Sequence, residues 1–184
     1  MRRIFAFINV TLDGYFEGPG HDLSWSHGDF EGFSEERGRE VDILLLGKRT
    51  YDMMAAFWPT PAAAQMAPDV AAIMNDRRKV VASHAPFDPG WRNVTVFSGA
   101  TEDVVDQVRQ LKAQEGGTIL ILGSSTLCAS LVDAGLIDEF QLLVNPVLLG
   151  EGTTLFEGLH NRTTLRLRDA HPYPSGKVLL TYEA

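Results

Sequence analysis

The sequence predicts an α/β layered domain built on a twisted, mostly parallel sheet. Three observations carry this. Apolar runs of strand length, such as residues 41–46 and 118–122, recur along the chain. Stretches with helical spacing alternate with them. The runs lack polar alternation, as strands covered on both faces should. A chain of 184 residues falls in the size range of one ordinary domain, so residues 1–184 are read as a single domain.

Taken in order, residues 3–10 read as a largely buried first strand, and residues 11–29 as a long, glycine-rich loop of the kind that carries function. Residues 30–40 have helical spacing, residues 41–46 form a strand, and residues 49–57 form a helix that stops near Pro59 and Pro61. Residues 62–76 are rich in Ala and Met and read as helical. Short strands over 79–83 and 94–97 precede an amphipathic helix over 102–114, which Gly116-Gly117 ends. A wholly apolar strand over 118–122 leads into a helix over 125–134. Residues 140–149 form a strand broken at Asn145-Pro146, and its apolar character suits either core or a dimer surface. The tail divides into strands 163–169 and 177–183 around Pro174-Ser175-Gly176, and the alternation of Leu165-Arg166-Leu167-Arg168 predicts an antiparallel, half-exposed hairpin.

Composition narrows the functional classes. Sixteen Lys and Arg against 24 Asp and Glu give a net charge of −8, which argues against a nucleic-acid partner. No apolar run is long enough to cross a bilayer. The single Cys128 excludes an internal disulfide and a multi-cysteine zinc site, and fits a cytoplasmic setting. The five histidines show no metal-ligand spacing, so no metal is expected.

Two strand-to-helix junctions carry the chemistry. At Gly47-Lys48-Arg49-Thr50 an apolar strand hands over to a helix whose free N–H groups, beside two cations and a hydroxyl, suit phosphates. The alternative is that Thr50 merely caps the helix while both cations are solvated. Leu122-Gly123-Ser124-Ser125-Thr126-Leu127 repeats the arrangement with small residues that let a ligand approach the backbone. Two such junctions point to a ligand with phosphates in more than one place, as in a dinucleotide. The usual G-x-G-x-x-G fingerprint is missing.

The order Leu46-Gly47-Lys48-Arg49-Thr50-Tyr51, Val80-Val81-Ala82-Ser83, Ile121-Leu122-Gly123-Ser124-Ser125 and Gly150-Glu151-Gly152-Thr153 resembles dihydrofolate reductase and its relatives. Thr11-Leu12-Asp13-Gly14 is similar to the Ser-x-Asp-Gly motif of the reductase domain of the bifunctional riboflavin-biosynthesis deaminase-reductase. The resemblance spans essentially the whole chain and implies a dihydrofolate-reductase-like fold in a homodimer. It implies that Gly47, Lys48, Arg49, Thr50, Ser83, Gly123, Ser124, Ser125, Thr126 and Leu127 bind NADPH, with Lys48 and Arg49 on its 2'-phosphate and pyrophosphate. It places Asn9, Gly14 and Trp25 around a small heterocyclic acceptor, either pterin-like or like 5-amino-6-ribosylaminouracil phosphate. Asp13 is the first candidate for the catalytic acid. Glu31 is the second, from ungapped spacing back from Gly47. Gly123-Ser124 stands where dihydrofolate reductases carry Gly-Gly, and no deaminase half is present. For a ribose phosphate, His21, His27, Arg37 and Arg39 are available, but nothing in the sequence assembles them. The competing class is a non-catalytic NADP-binding module, in which phosphates are held but no acid faces the nicotinamide.

Overall fold

The structure is a computed structural model that describes residues 1–26, 38 and 40–184. Glu31, His27, Arg37, Arg39 and most of the helix expected over 30–40 lie outside the described residues. Ten strands and five α-helices are described: β1 (Ile4–Thr11), β2 (Tyr15–Glu17), β3 (Val41–Gly47), α1 (Lys48–Phe57), α2 (Pro61–Met66), α3 (Pro68–Asp76), β4 (Arg78–Ser83), β5 (Val94–Ser98), α4 (Thr101–Ala113), β6 (Thr118–Ile121), α5 (Ser125–Asp133), β7 (Glu139–Asn145), β8 (Thr153–Thr154), β9 (Arg166–Pro172) and β10 (Val178–Glu183).

Eight strands form one sheet in the order β5-β4-β3-β6-β1-β7-β10-β9, parallel from β5 through to β7 and antiparallel from β7 to β9. This is the mostly parallel α/β sheet closed by an antiparallel C-terminal hairpin that the sequence predicts. The central strands read as unbroken apolar runs because both of their faces are covered. On one face Ile4, Ala6, Ile43, Leu45 and Ile121 meet residues of α4 and α5 such as Val108 and Leu131. On the other, Phe5, Phe7, Leu44 and Leu46 meet Tyr51, Ala63 and Met74 from α1, α2 and α3. Burying a side chain of this size contributes about 1.5–3 kcal/mol.

Three boundaries differ from expectation, each for a local reason. The helix expected over 62–76 is two, because Ala67 precedes Pro68 and is driven out of the α region (φ −147°, ψ 76°). Within the 11–29 loop, β2 forms by pairing antiparallel with β8, a contact that bridges distant parts of the chain. The strand expected over 163–169 lies at Arg166–Pro172, where the register with β10 holds it as a fully exposed sheet edge. The apolar β7 is an interior strand between β1 and β10 with Phe140 and Leu143 buried, so its composition is explained by the core.

Candidate active site

The carboxyl ends of β1, β3 and β6 are adjacent, because β6 lies between β3 and β1. Ligands of open α/β sheets bind beyond such ends. Helix α1 starts at Gly47, which offers no side chain to cap it, so its first N–H groups remain available. Helix α5 starts at Ser124, whose Oγ accepts weakly from Leu127 N–H at 3.4 Å and lies 3.0 Å from the Thr126 hydroxyl. The two starts touch. Gly47 N–H donates to the Gly123 carbonyl at 2.8 Å. A Cβ at Gly47 would fall 2.6 Å from Ser124 Oγ, so glycine is what allows this approach. The Gly123-Ser124 peptide is cis. Thr50 and Ser125 are buried within this cradle, Leu127 is buried behind it, and Thr126 is exposed. Ser83 ends β4, with its hydroxyl donating to the Ala85 carbonyl at 2.7 Å.

The two cations expected on phosphates part company. Lys48 Nζ pairs with Asp52, one turn on, at 2.6 and 2.7 Å, and lies 4.5 Å from the Phe87 ring centre. Arg49 turns the other way: one guanidinium nitrogen donates to both oxygens of Glu17, at 2.7 and 2.6 Å, and another lies 3.0 Å from His21 Nδ1. An exposed i,i+4 pair like that of Lys48 contributes only about 0.3–0.5 kcal/mol and is easily exchanged. Glu17 is only 3% exposed, and a carboxylate so buried is costly to strip of its partner. Arg49 is therefore held on the cavity side, paired with Glu17.

Beside the cradle opens a cavity of about 410 Å³, lined on its apolar side by Phe7, Phe16, Met53, Met54, Trp58 and Met74. Its polar lining is Asn9, Glu17, His21, Ser26, Arg49 and Thr50. Asn9, one of the expected acceptor-side residues, thus lines it, and its Oδ1 accepts from Asn145 Nδ2 at 3.2 Å. Gly14 takes φ +88° in the turn after Asp13, outside this lining. Trp25 is also outside, its indole N–H donating to the Asp22 carbonyl at 3.2 Å, while its neighbours Leu23 and Ser26 reach the cavity.

Asp13 does not line the cavity either. Its Oδ1 accepts from the Thr11 hydroxyl at 2.6 Å, and its Oδ2 accepts from the N–H groups of Leu149 and Gly150 at 3.0 and 2.8 Å. The Thr11 hydrogen bond, then that of Gly150, lowers its pKa below the ordinary carboxylate value. This arrangement clamps the end of β1 to the 149–150 loop and favours the ionised carboxylate. Glu17, which faces the cavity, is missed by sequence reasoning. Its partner is 32 residues away, and the local signal is only a glutamate before Gly18-Pro19. Among the described residues no cluster of His, Cys, Asp or Glu is placed to hold a metal ion.

The profile of the RibD C-terminal domain family matches residues 2–180. The chain belongs to the RibD C-terminal domain family. Within its curated relatives, YyaP of Bacillus subtilis (strain 168), an uncharacterized protein, is 28% identical over 182 residues, which is 98% of this chain and 94% of that one. Two solved structures show the shared RibD-like and dihydrofolate-reductase-like fold. One is a diaminohydroxyphosphoribosylaminopyrimidine deaminase/5-amino-6-(5-phosphoribosylamino)uracil reductase of Thermotoga maritima, with a TM-score of 0.70, 14% identity, and coverage of 99% of this chain and 56% of that one. The other is a dihydrofolate reductase of Enterococcus faecalis complexed with NADP(H), with a TM-score of 0.67, 16% identity, and coverage of 98% and 95%.

Proposed function

We propose that this RibD C-terminal domain protein is an NADPH-dependent reductase that passes a hydride to a small heterocyclic compound held in the cavity beside the cradle. The observation that carries the reading is the contact between the two helix starts. Two sets of backbone N–H groups, Thr50, Ser124 and Ser125 converge where a dinucleotide would place its phosphates, next to a cavity of ring size.

The residues present fit such a cofactor. Gly47 to Thr50 and Gly123 to Leu127 would hold its phosphates, Lys48 would exchange Asp52 for the 2'-phosphate, and Ser83 would lie towards the adenosine. When bound, the cofactor supplies the hydride from its nicotinamide. The protein positions the acceptor ring on an apolar floor and excludes water from it. His21 faces the cavity with a ring that can carry a proton.

Calorimetric titration with NADPH and NADH tests this directly. The expected result is binding of NADPH with a preference over NADH, and loss of about tenfold of that preference in Lys48→Ala, the effect of removing one charge-assisted contact at an exposed site. Absence of heat with both cofactors would end the proposal. NADPH binding without oxidation in the presence of any pterin or aminouracil would favour a non-catalytic NADP-binding module.

A further inference from the structure

Glu17 is the feature of the cavity that a riboflavin-type acceptor does not explain. Its buried carboxylate is the acidic group among the described lining residues of a cavity whose other walls are largely aromatic, aliphatic and methionine side chains, with both oxygens taken by Arg49 and Oε1 3.1 Å from His21 Nδ1. We propose that the acceptor site takes a flat, uncharged heteroaromatic compound without a phosphate, and that Glu17 is the residue that turns phosphorylated members of that class away. The inference rests on the reductase reading only in calling this cavity the acceptor site.

Charge in a confined space decides what this cavity admits. A phosphate monoester brings about −1.5 to −2 charges. Against walls of low dielectric, its repulsion by a buried carboxylate is far stronger than in water. The compensating cation among the described lining residues is Arg49, with one guanidinium nitrogen on both oxygens of Glu17 and another 3.0 Å from His21 Nδ1. A phosphate that recruited Arg49 would leave Glu17 buried without its partner, the more expensive of the two arrangements. A neutral ring meets neither cost. Phe7, Phe16 and Trp58 offer faces for stacking, and methionines such as Met54 and Met74 adapt to its outline. Asn9, Ser26 and Thr50 offer the few hydrogen bonds that orient ring nitrogens and carbonyls. The Thermotoga maritima protein of similar fold is named for a phosphoribosyl substrate, so the two would share a scaffold and differ in this wall.

The test uses matched pairs of probes: 7,8-dihydroneopterin and its monophosphate, and 5-amino-6-ribitylaminouracil and its 5'-phosphate. Binding is followed by tryptophan fluorescence and calorimetry, with and without NADPH, so hydride transfer is not needed for a readout. The expected result is that each phosphorylated member binds at least about tenfold more weakly at low salt, and that added salt narrows the gap. Glu17→Gln, which keeps the side-chain shape and frees Arg49, should bring the ratio to about one or invert it. Equal or tighter binding of the phosphorylated members by the unaltered protein overturns the proposal. So does a ratio that Glu17→Gln leaves unchanged, or failure of both members of both pairs to bind. A protein that binds NADPH yet prefers the phosphorylated probes remains a reductase and loses only this inference. One that discriminates as expected but ignores NADPH keeps this inference and loses the reductase assignment.

Discussion

Asp13 receives hydrogen bonds from the Thr11 hydroxyl and from the N–H groups of Leu149 and Gly150, and each favours its ionised form. The residue is a fastening between the end of β1 and the loop that leads into β8. Asp13→Asn keeps the size but replaces one acceptor oxygen with an NH₂ group facing backbone N–H donors. The expected outcome is faster amide hydrogen exchange at Leu149 and Gly150, with NADPH affinity changed little. Unchanged exchange at those amides would show that the clamp does not operate. Lys48 and Arg49 make the same point from the cation side. They are neighbours in sequence, yet Lys48 closes on its own helix while Arg49 crosses to Glu17.

At the scale of elements, Lys79 explains how α3 ends. It is wholly buried, its Nζ donates to the carbonyls of Met74, Asn75 and Arg77 at 2.9, 3.3 and 2.8 Å, and it lies 4.3 Å from the Trp91 ring centre. These are carbonyls at the close of a helix, which otherwise lack partners. Burial, helped by the charge of Arg92, lowers its pKa to about 8 from 10.5. The unfolded chain therefore keeps this proton at pH values where the folded chain releases it. Between about pH 8 and 10.5 the unfolded state binds more protons, and Lys79 makes the fold more stable as pH rises, by up to about 3 kcal/mol. Lys79→Met should cost about 2–3 kcal/mol at pH 7 by orphaning the carbonyls, and should remove this alkaline gain. Urea unfolding at pH 7 and pH 10 reads both effects, and an alkaline gain that survives in the variant would assign it to another group. Pairing of β2 with β8 depends in turn on Gly152. A Cβ there would lie 2.1 Å from the Glu17 carbonyl oxygen, and φ is +141°. Gly152→Ala should displace β2 and carry Glu17 with it, lowering thermal stability and weakening ring binding together.

For the whole molecule, acid sensitivity follows from fastened carboxylates. Asp133 is lowered to about 2, chiefly by the side chain of His160 and then by backbone N–H groups of residues 160 and 161. Asp42, through Arg2, and Glu183, through Arg168 and Arg166, are lowered as well. The unfolded chain takes up protons at these groups near pH 4, before the folded chain does, so their stabilisation is complete above that value and is lost as pH falls towards 2. The melting temperature should fall steeply across that window, and Asp133→Asn should make the fall shallower. The sheet was legible in the sequence because its strands are buried on both faces, a property written into each run of residues. β2, β8 and the Glu17–Arg49 pair were not, because each exists only through a partner far along the chain. Asp13 was legible in part: the hydroxyl that does most to favour its ionised form, that of Thr11, lies two residues away, while the N–H groups of Leu149 and Gly150 come from far along the chain. The apolar character of β7 reflects its interior place in the sheet, between β1 and β10.

The touching of Gly47 and Ser124 has a consequence for inheritance. With a methyl group at 47 landing 2.6 Å from the Ser124 hydroxyl, position 47 is not free to gain a side chain while one stands at 124. Gly47→Ala should be damaging by itself and partly rescued by Ser124→Gly, which removes the obstructing side chain but leaves the backbone nitrogen at 3.0 Å, so a double-mutant cycle should return a coupling of about 1 kcal/mol or more. Selection would then tie the two positions in one direction, and lineages that gain a side chain at 47 should be found to have lost the one at 124.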